Sequence, residues 1–274
     1  MSVARSKVLL CKAKAQGESA EGEKSYATVL ESAGFSCTQL SVLRFEFSNL
    51  EELRVLLVQN LHSGLILTSP RSAEAVKLSL EQGEAGSESI FSNIWKNLPI
   101  YCVGAATEQV ARNILGLQSC CGSETGNAEE LAKFIINEMQ SARNNAEVRP
   151  LLYPCSAIAR DTITTTLEAA RIPLQKLTVY KTLPSKTLET DLSDIFGHSL
   201  PEYLVFFSPS AVRYVTNVIK RNRQEKSMEE IKFVAIGPVT EQALVDAGLK
   251  VSATSRQPDP VALSNALRNM LVTS

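Results

Sequence analysis

Gly64-Leu-Ile-Leu-Thr-Ser-Pro-Arg71 is a short apolar run that stops at a serine and a proline. The chain repeats it as Tyr203-Leu-Val-Phe-Phe-Ser-Pro-Ser210. Four or five apolar residues without alternation read as a strand buried on both faces. Ser-Pro then reads as a helix start, because serine caps free N–H groups and proline lacks the one that would go unpaired. Further out, Val103-Gly-Ala-Ala-Thr-Glu-Gln109 returns as Ile236-Gly-Pro-Val-Thr-Glu-Gln242. Both copies then reach a Gly-Leu pair, Gly116-Leu117 and Gly248-Leu249. The repeat is too long for a solenoid and marks a duplicated domain.

A strand-helix-strand block precedes each copy. In the first, Lys7–Cys11 reads as a buried strand, Ser25–Ser32 as a helix stopped by Gly34, and Cys37–Leu43 as a strand. In the second the same roles fall to 150–155, 162–170 and 175–180, with Leu30-Glu-Ser-Ala33 matching Leu167-Glu-Ala-Ala170. After each Ser-Pro helix come a strand (100–103 and 233–236), a helix behind the Gly-x-x-Thr, a further strand, and a closing helix (131–139 and 261–271). Alternating strands and helices point to an α/β fold with parallel sheets covered on both faces. The stretches 81–89 and 221–230 read as solvated loops. Gly126-Asn127 fits either a turn or a helix start.

The chain has 274 residues, 44% apolar and 21% charged, with a net charge of −1. That composition suits a soluble globular protein, and the length suits two domains or one large one. No global basic field points to nucleic acid or a membrane surface. No apolar stretch is long enough to span a bilayer. The acidic, glycine-containing run 17–23 argues against a transit peptide, and a cytosolic protein is expected. The six cysteines lack Cys-x-x-Cys spacing and read as reduced, mostly buried thiols. His62 and His198 read as surface or edge residues, and no metal site is expected. Nucleotide-binding glycine motifs and a nucleophile elbow are absent.

Each repeated motif sits where a strand ends and a helix begins, which in open α/β sheets is the ligand-binding edge. Helix N-termini there favour anions. Gly104 and Gly237 permit tight turns, and Thr107 and Thr240 can cap the helices that follow. Arg71 and Lys232 add cations near the motifs. Tyr180, in Leu177-Thr-Val-Tyr-Lys-Thr182, could donate a proton or simply pack in its strand. The serines and threonines could equally be plain caps.

Seven segments occur in an order that resembles the uroporphyrinogen-III synthase family. They are Thr68-Ser-Pro-Arg-Ser-Ala-Glu-Ala75, Val103-Gly-x-Ala-Thr107, Gly126-Asn-Ala-Glu-x-Leu-Ala132, Leu151-Leu-Tyr-Pro-Cys155, Leu177-Thr-Val-Tyr-Lys-Thr182, Phe206-Phe-Ser-Pro-Ser210 and Ile231-Lys-Phe-Val-Ala-Ile-Gly-Pro-Val-Thr240. The resemblance runs from about Lys7 to Leu271.

It implies two flavodoxin-like lobes joined by a two-stranded β ladder with the active cleft between them. One lobe would comprise 1–43 and 184–274 and the other 46–180, with crossings near 43–46 and 180–184. It implies closure of linear hydroxymethylbilane to uroporphyrinogen III, with loss of water and inversion of the last ring, on the path to haem. Tyr180 matches the tyrosine thought to assist departure of the hydroxyl. Thr68, Ser69, Arg71, Thr107, Ser208, Ser210, Lys232, Gly237 and Thr240 fall at substrate-binding positions. The ligand would be a small-molecule tetrapyrrole polycarboxylate, with no cofactor or metal. A monomer is expected, with room for transient contact with the preceding pathway enzyme. Two departures stand out: Ser156 where many members have glycine, and Val239 where threonine is frequent. The competing reading is a non-catalytic, two-lobed anion-binding protein.

Overall fold

The computed structural model describes residues 5–13, 25–141, 149–222 and 229–272. The run 17–23 and most of the charged stretch 221–230 lie outside the described residues. The chain forms two compact units. The first takes its residues from Met1–Arg44 and Leu183–Ser274, the second from Phe45–Thr182.

In the first unit the strands are β1 (Lys7–Ala13), β2 (Ser36–Phe47, continuing into the second unit), β8 (Tyr203–Phe206), β9 (Lys232–Ile236) and β10 (Val251–Ser255). Their order is β10-β9-β8-β1-β2, and every pair is parallel. Numbered within the unit this is 2-1-3-4-5, the flavodoxin-like winding. Helices α1 (Tyr26–Ser32), α8 (Leu188–His198), α9 (Pro209–Arg221), α10 (Pro238–Asp246) and α11 (Pro260–Val272) connect them. One apolar cluster packs Leu9, Phe206 and Phe233 under α8 and α9. Another packs Val8, Phe35 and Tyr203 under α1 and α11. Both sheet faces are therefore covered, which explains the unbroken apolar strands.

In the second unit the strands are β3 (Gly64–Leu67), β4 (Ile100–Cys102), β5 (Cys120–Cys121), β6 (Leu151–Ser156) and β7 (Leu174–Pro184, returning to the first unit), in the order β7-β6-β3-β4-β5. Counting from β6, this too is 2-1-3-4-5, circularly permuted, and the pairs within it are parallel. The helices are α2 (Leu50–Val58), α3 (Pro70–Glu81), α4 (Ser87–Trp95), α5 (Ala105–Leu115), α6 (Ala128–Ser141) and α7 (Thr162–Ala169), with a 3-10 turn at Ser123–Thr125. Its core also has two clusters, one around Trp95, Leu67 and Val179, the other around Tyr101, Tyr153 and Leu167. Trp95 Nε1 donates to Leu57 O at 2.8 Å, so the one tryptophan is buried without an orphaned donor.

β2 and β7 run longer than the expected 37–43 and 175–180. In the first unit the Ser185 N–H bonds Val42 O at 2.8 Å. In the second the Ser48 N–H bonds Val179 O at 2.9 Å, in the same antiparallel sense. The expected loop 81–89 is shorter than read, because α4 begins at Ser87 behind Gly86 (φ 98°). At Gly126-Asn127 both features occur: Gly126 has φ 70°, and Asn127 Oδ1 accepts the N–H groups of Glu129 and Glu130 at 3.0 Å.

All six cysteines are free thiols, three buried and three half-buried. His62 departs from the expectation. It lies at the amino edge of β3 but is only 1% exposed, stacks on Trp95 and bonds Gln175 Oε1 at 2.8 Å. His198 is exposed at the end of α8.

Candidate active site

The order of strands reverses between β6 and β3 in the second unit. Crevices at such switch points, outside the carboxyl ends of the strands, are where open α/β sheets bind ligands. Ser69 closes β3 as the N-cap of α3, its Oγ accepting the Ser72 N–H at 3.2 Å. Ser156 ends β6 and pairs in register with Tyr180 on β7. The Tyr180 hydroxyl lies 2.8 Å from Ser69 Oγ, and the Ser156 hydroxyl is near enough to act on its ionisation. Tyr180 is 7% exposed, its ring edge-on to Phe45 at 6.2 Å and tilted against Phe47 at 6.4 Å.

Burial raises the Tyr180 phenol above the ordinary tyrosine range. The Ser69 and Ser156 hydroxyls, and Arg71 more weakly, pull it back. The side chain is thus a neutral phenol at neutral pH, and its oxygen faces groups able to carry charge if the proton leaves. Arg71 stands in the first turn of α3. Its guanidinium lies 4.3 Å from the centre of the Phe45 ring and pairs with Glu74. Thr68 Oγ1 is 3.5 Å from the hydroxyl of Tyr153, a loose contact.

Thr107 and Thr240 do not cap their helices. Gly104 and Gly237 hold the N-cap positions, at φ 76°, ψ 152° and φ 80°, ψ 158°, backbone that only glycine adopts without strain. Each threonine is the third residue of its helix and is 3% exposed. A glycine there turns the chain sharply enough for the cap carbonyl to accept the first helical bonds, from Glu108 N at 3.3 Å and Glu241 N at 3.1 Å. No side-chain cap is needed.

In the first unit Ser208 repeats the geometry of Ser69, capping α9 by accepting the Ala211 N–H at 3.3 Å. Ser210, half-buried, is the second residue of that helix, and Gly237 and Thr240 open α10. Lys232 is not brought to them. It begins β9, so the length of the strand, roughly 13 Å at ~3.3 Å per residue, separates it from the end that carries Gly237. Its ammonium is 3.2 Å from Glu202 and 5.2 Å from the centre of the Tyr203 ring. Nearness in sequence to the motif misled here, because the intervening residues are fully extended.

The Ser-Pro helices share an uncharged or basic first turn with α1, α7 and α11. The first turns of α3 and α9 carry no acidic residue, whereas those of α2, α6 and α8 carry two each. The partial positive charge of these N-termini is left for a ligand. Among the described residues no group of His, Cys, Asp or Glu could hold a metal ion. No helix among them is long and apolar enough to cross a membrane.

The candidate set read from sequence omits Phe45, Phe47, Tyr153 and Ser156. Phe45-x-Phe47 has the alternation that puts both rings on one strand face. Ser156 ends its strand as Ser69 does. Those signals were available; the burial of Tyr153 against Thr68 was not.

Comparison with known proteins agrees with the resemblance. The family model described as uroporphyrinogen-III synthase HemD matches residues 24–265. Uroporphyrinogen-III synthase of Schizosaccharomyces pombe is 29% identical over 245 residues, 88% of this chain and 90% of that protein. The Saccharomyces cerevisiae protein of that name is 27% identical over 216 residues, 74% of each chain. Among solved structures, uroporphyrinogen-III synthetase of Helicobacter pylori superposes with a TM-score of 0.63 at 15% identity, covering 98% of this chain and all of that one. A mutant uroporphyrinogen III synthase from Thermus thermophilus gives 0.62 at 13%, with the same coverage. The α/β fold follows from the structural likeness, and the family from the match over most of the sequence: this chain belongs to the uroporphyrinogen-III synthase family.

Proposed function

We propose that this chain closes linear hydroxymethylbilane to uroporphyrinogen III, and that Tyr180 handles the departing hydroxyl. The observation that carries the assignment of Tyr180 is its phenol, buried, neutral and hydrogen-bonded to the serine that caps a Ser-Pro helix.

The bilane hydroxyl leaves as water when it receives a proton, and an electron-rich pyrrole then stabilises the methylene cation. A phenol held neutral by burial is a proton donor at neutral pH. The Ser69 and Ser156 hydroxyls each accept a backbone N–H, from Ser72 and Ile158. Each keeps its own hydrogen free to donate to the phenolate that remains. Attack at the substituted carbon of the last ring gives a spiro intermediate, which fragments and recloses with that ring inverted. The proton lost from the last ring balances the one given, so water is the net loss.

The bilane also closes without enzyme, to the uninverted isomer. Orientation is therefore the larger task. The N-termini of α3 and α9, with Ser69, Arg71, Ser208 and Ser210, and the glycine turns before Thr107 and Thr240, suit the substrate's carboxylates. Lys232 is a weaker candidate at the far edge of its sheet. A monomer working in the cytosol, supplied by the preceding enzyme of the pathway, fits a substrate that closes by itself.

The test is to supply freshly made hydroxymethylbilane and separate the isomers. Uroporphyrinogen III formed faster than spontaneous closure is the expected result. Isomer I alone at the spontaneous rate would leave only the non-catalytic, anion-binding reading.

A further inference from the structure

Cys102 and Cys120 take no part in the proposed reaction, yet they lie on one face of neighbouring strands. Cys102 is the last residue of β4 and is fully buried. Cys120 lies on β5, the outermost strand of its sheet, and is half-buried. Both side chains belong to one apolar cluster, whereas Cys121 packs with the cluster on the other face. The two side chains thus stand close enough to influence each other's ionisation.

Their surroundings differ. The Arg112 guanidinium is fixed beside Cys120 by bonds to Gln118 O at 2.8 Å and Cys120 O at 3.2 Å, with Glu108 as its partner at 2.7 Å. The neighbouring Cys102 thiol and Arg112 favour a Cys120 thiolate, against the opposing pull of burial and Glu108. The Cys102 thiol is pushed the other way, by Cys120 and by burial. Cys120 Sγ donates to Leu117 O at 3.6 Å. The other half-buried thiols, Cys37 and Cys121, are raised to about 11, chiefly by burial.

We propose that Cys120 is a modification site for low-molecular-weight disulfides, with Cys102 as the resolving thiol. The Cys120 thiolate attacks one sulfur of RS–SR, and the S–S electron pair leaves on the other as RS⁻. Cys102 gives up its proton, attacks Cys120 Sγ and expels the second RS⁻. Two protein thiols become one disulfide, and the reagent is reduced to two RSH. Cys120 is in register with Ile100, two residues before Cys102. At ~4.8 Å between strands and ~3.3 Å per residue, such a diagonal pair is about 8 Å apart. A disulfide needs Cα atoms within ~7 Å. The two-residue edge strand β5 must therefore draw in slightly, since the end of β4 is held to β3 by the Val103 N–H bond to Leu67 O.

The experiment is to treat the reduced full-length chain with oxidised glutathione and follow the sites by peptide mass spectrometry. The wild type should give a Cys102–Cys120 cross-link. The isosteric Cys102→Ser should stop at a stable glutathionyl adduct on Cys120, and Cys120→Ser should lose both. Limiting iodoacetamide on the wild type, which needs no variant, should label Cys120 about tenfold faster than Cys37 or Cys121. First modification at Cys37 or Cys121 would overturn the proposal. So would a Cys120 adduct as persistent in the wild type as in Cys102→Ser.

Discussion

Tyr180 and Ser69 stand 111 residues apart in sequence and 2.8 Å apart in space. Removing the phenol hydroxyl in Tyr180→Phe keeps the ring against Phe45 and Phe47. Turnover should fall by about 10²-fold, the low end for a lost proton donor, while product affinity stays within about twofold. Steady-state rates with a product-binding titration check this, and a loss confined to affinity would assign Tyr180 to binding. Ser156→Ala removes one of the two hydroxyls that favour the phenolate. The Tyr180 pKa should rise further, read by NMR titration of the labelled ring. Tyr180 becomes a candidate through the family resemblance of its strand motif, since the residue alone fits packing equally well. Its contact with Ser69 is not legible in the sequence, since a hydroxyl pair across strands leaves no periodic trace. His62 was misread for a related reason: one histidine before a strand looks exposed until Trp95 is stacked on it. Burial is the largest influence on it and holds its imidazole below the ordinary range, with Gln175 and the Leu56 backbone pulling up and Arg149 pulling down. Below its unfolded pKa of about 6.5 the unfolded chain binds more protons than the folded one. Stability should therefore drop as pH falls from there toward the lowered folded value, and His62→Gln should flatten that slope in urea titrations.

Helix starts carry most of what the sequence revealed, and also its main misreading. Ser-Pro was read correctly because the cap and the first helical residue are adjacent. Gly-x-x-Thr was misread because threonine is a familiar cap, whereas the glycine three residues earlier takes that position. Gly237→Ala tests the correction. Open space surrounds the position where a Cβ would stand, so the cost comes from φ 80°, ψ 158° alone. A loss of about 1–3 kcal/mol is expected in urea unfolding, whereas a true threonine cap at Thr240 would leave Gly237→Ala nearly silent. Asn127→Ala, which does remove a side-chain cap, should cost ~1 kcal/mol. Helices α2 and α8 received no assignment from the sequence, although Ser48-x-x-Glu51 ahead of α2 has the pattern of a capping box. Their buried faces are narrow, with Leu53 and Leu57 in α2 and Leu188, Leu192 and Phe196 in α8, so periodicity alone is a faint signal.

At the scale of the whole chain, the repeat announces two units but cannot say which copies share a core. Parallel strands of one apolar character could pair in either combination; the resemblance implies one of them, and the structure pairs β1 with β8 and β3 with β6. With that assignment both units have the 2-1-3-4-5 order, the second in permuted form, and each contains two complete apolar clusters. A unit with its own sheet and core should fold by itself. In the second unit Ser48 bonds Val179, so its ends at Phe45 and Thr182 lie close together, and the excised segment 45–182 begins and ends on paired strands. In the first unit Val42 bonds Ser185 in the same antiparallel sense. A two-residue Asn-Gly turn, the favoured hairpin connection, should then join Arg44 to Leu183 and make that unit continuous. Both proteins should unfold in urea as single cooperative transitions with native-like circular dichroism. Neither should form uroporphyrinogen III above the spontaneous background, because the Ser-Pro helix of α3 with Tyr180 and the Ser-Pro helix of α9 are then on separate molecules. A broad, non-cooperative transition for segment 45–182 would mean that its sheet depends on residues outside it. Isomer III from that segment alone would mean that one Ser-Pro helix is enough to orient the substrate.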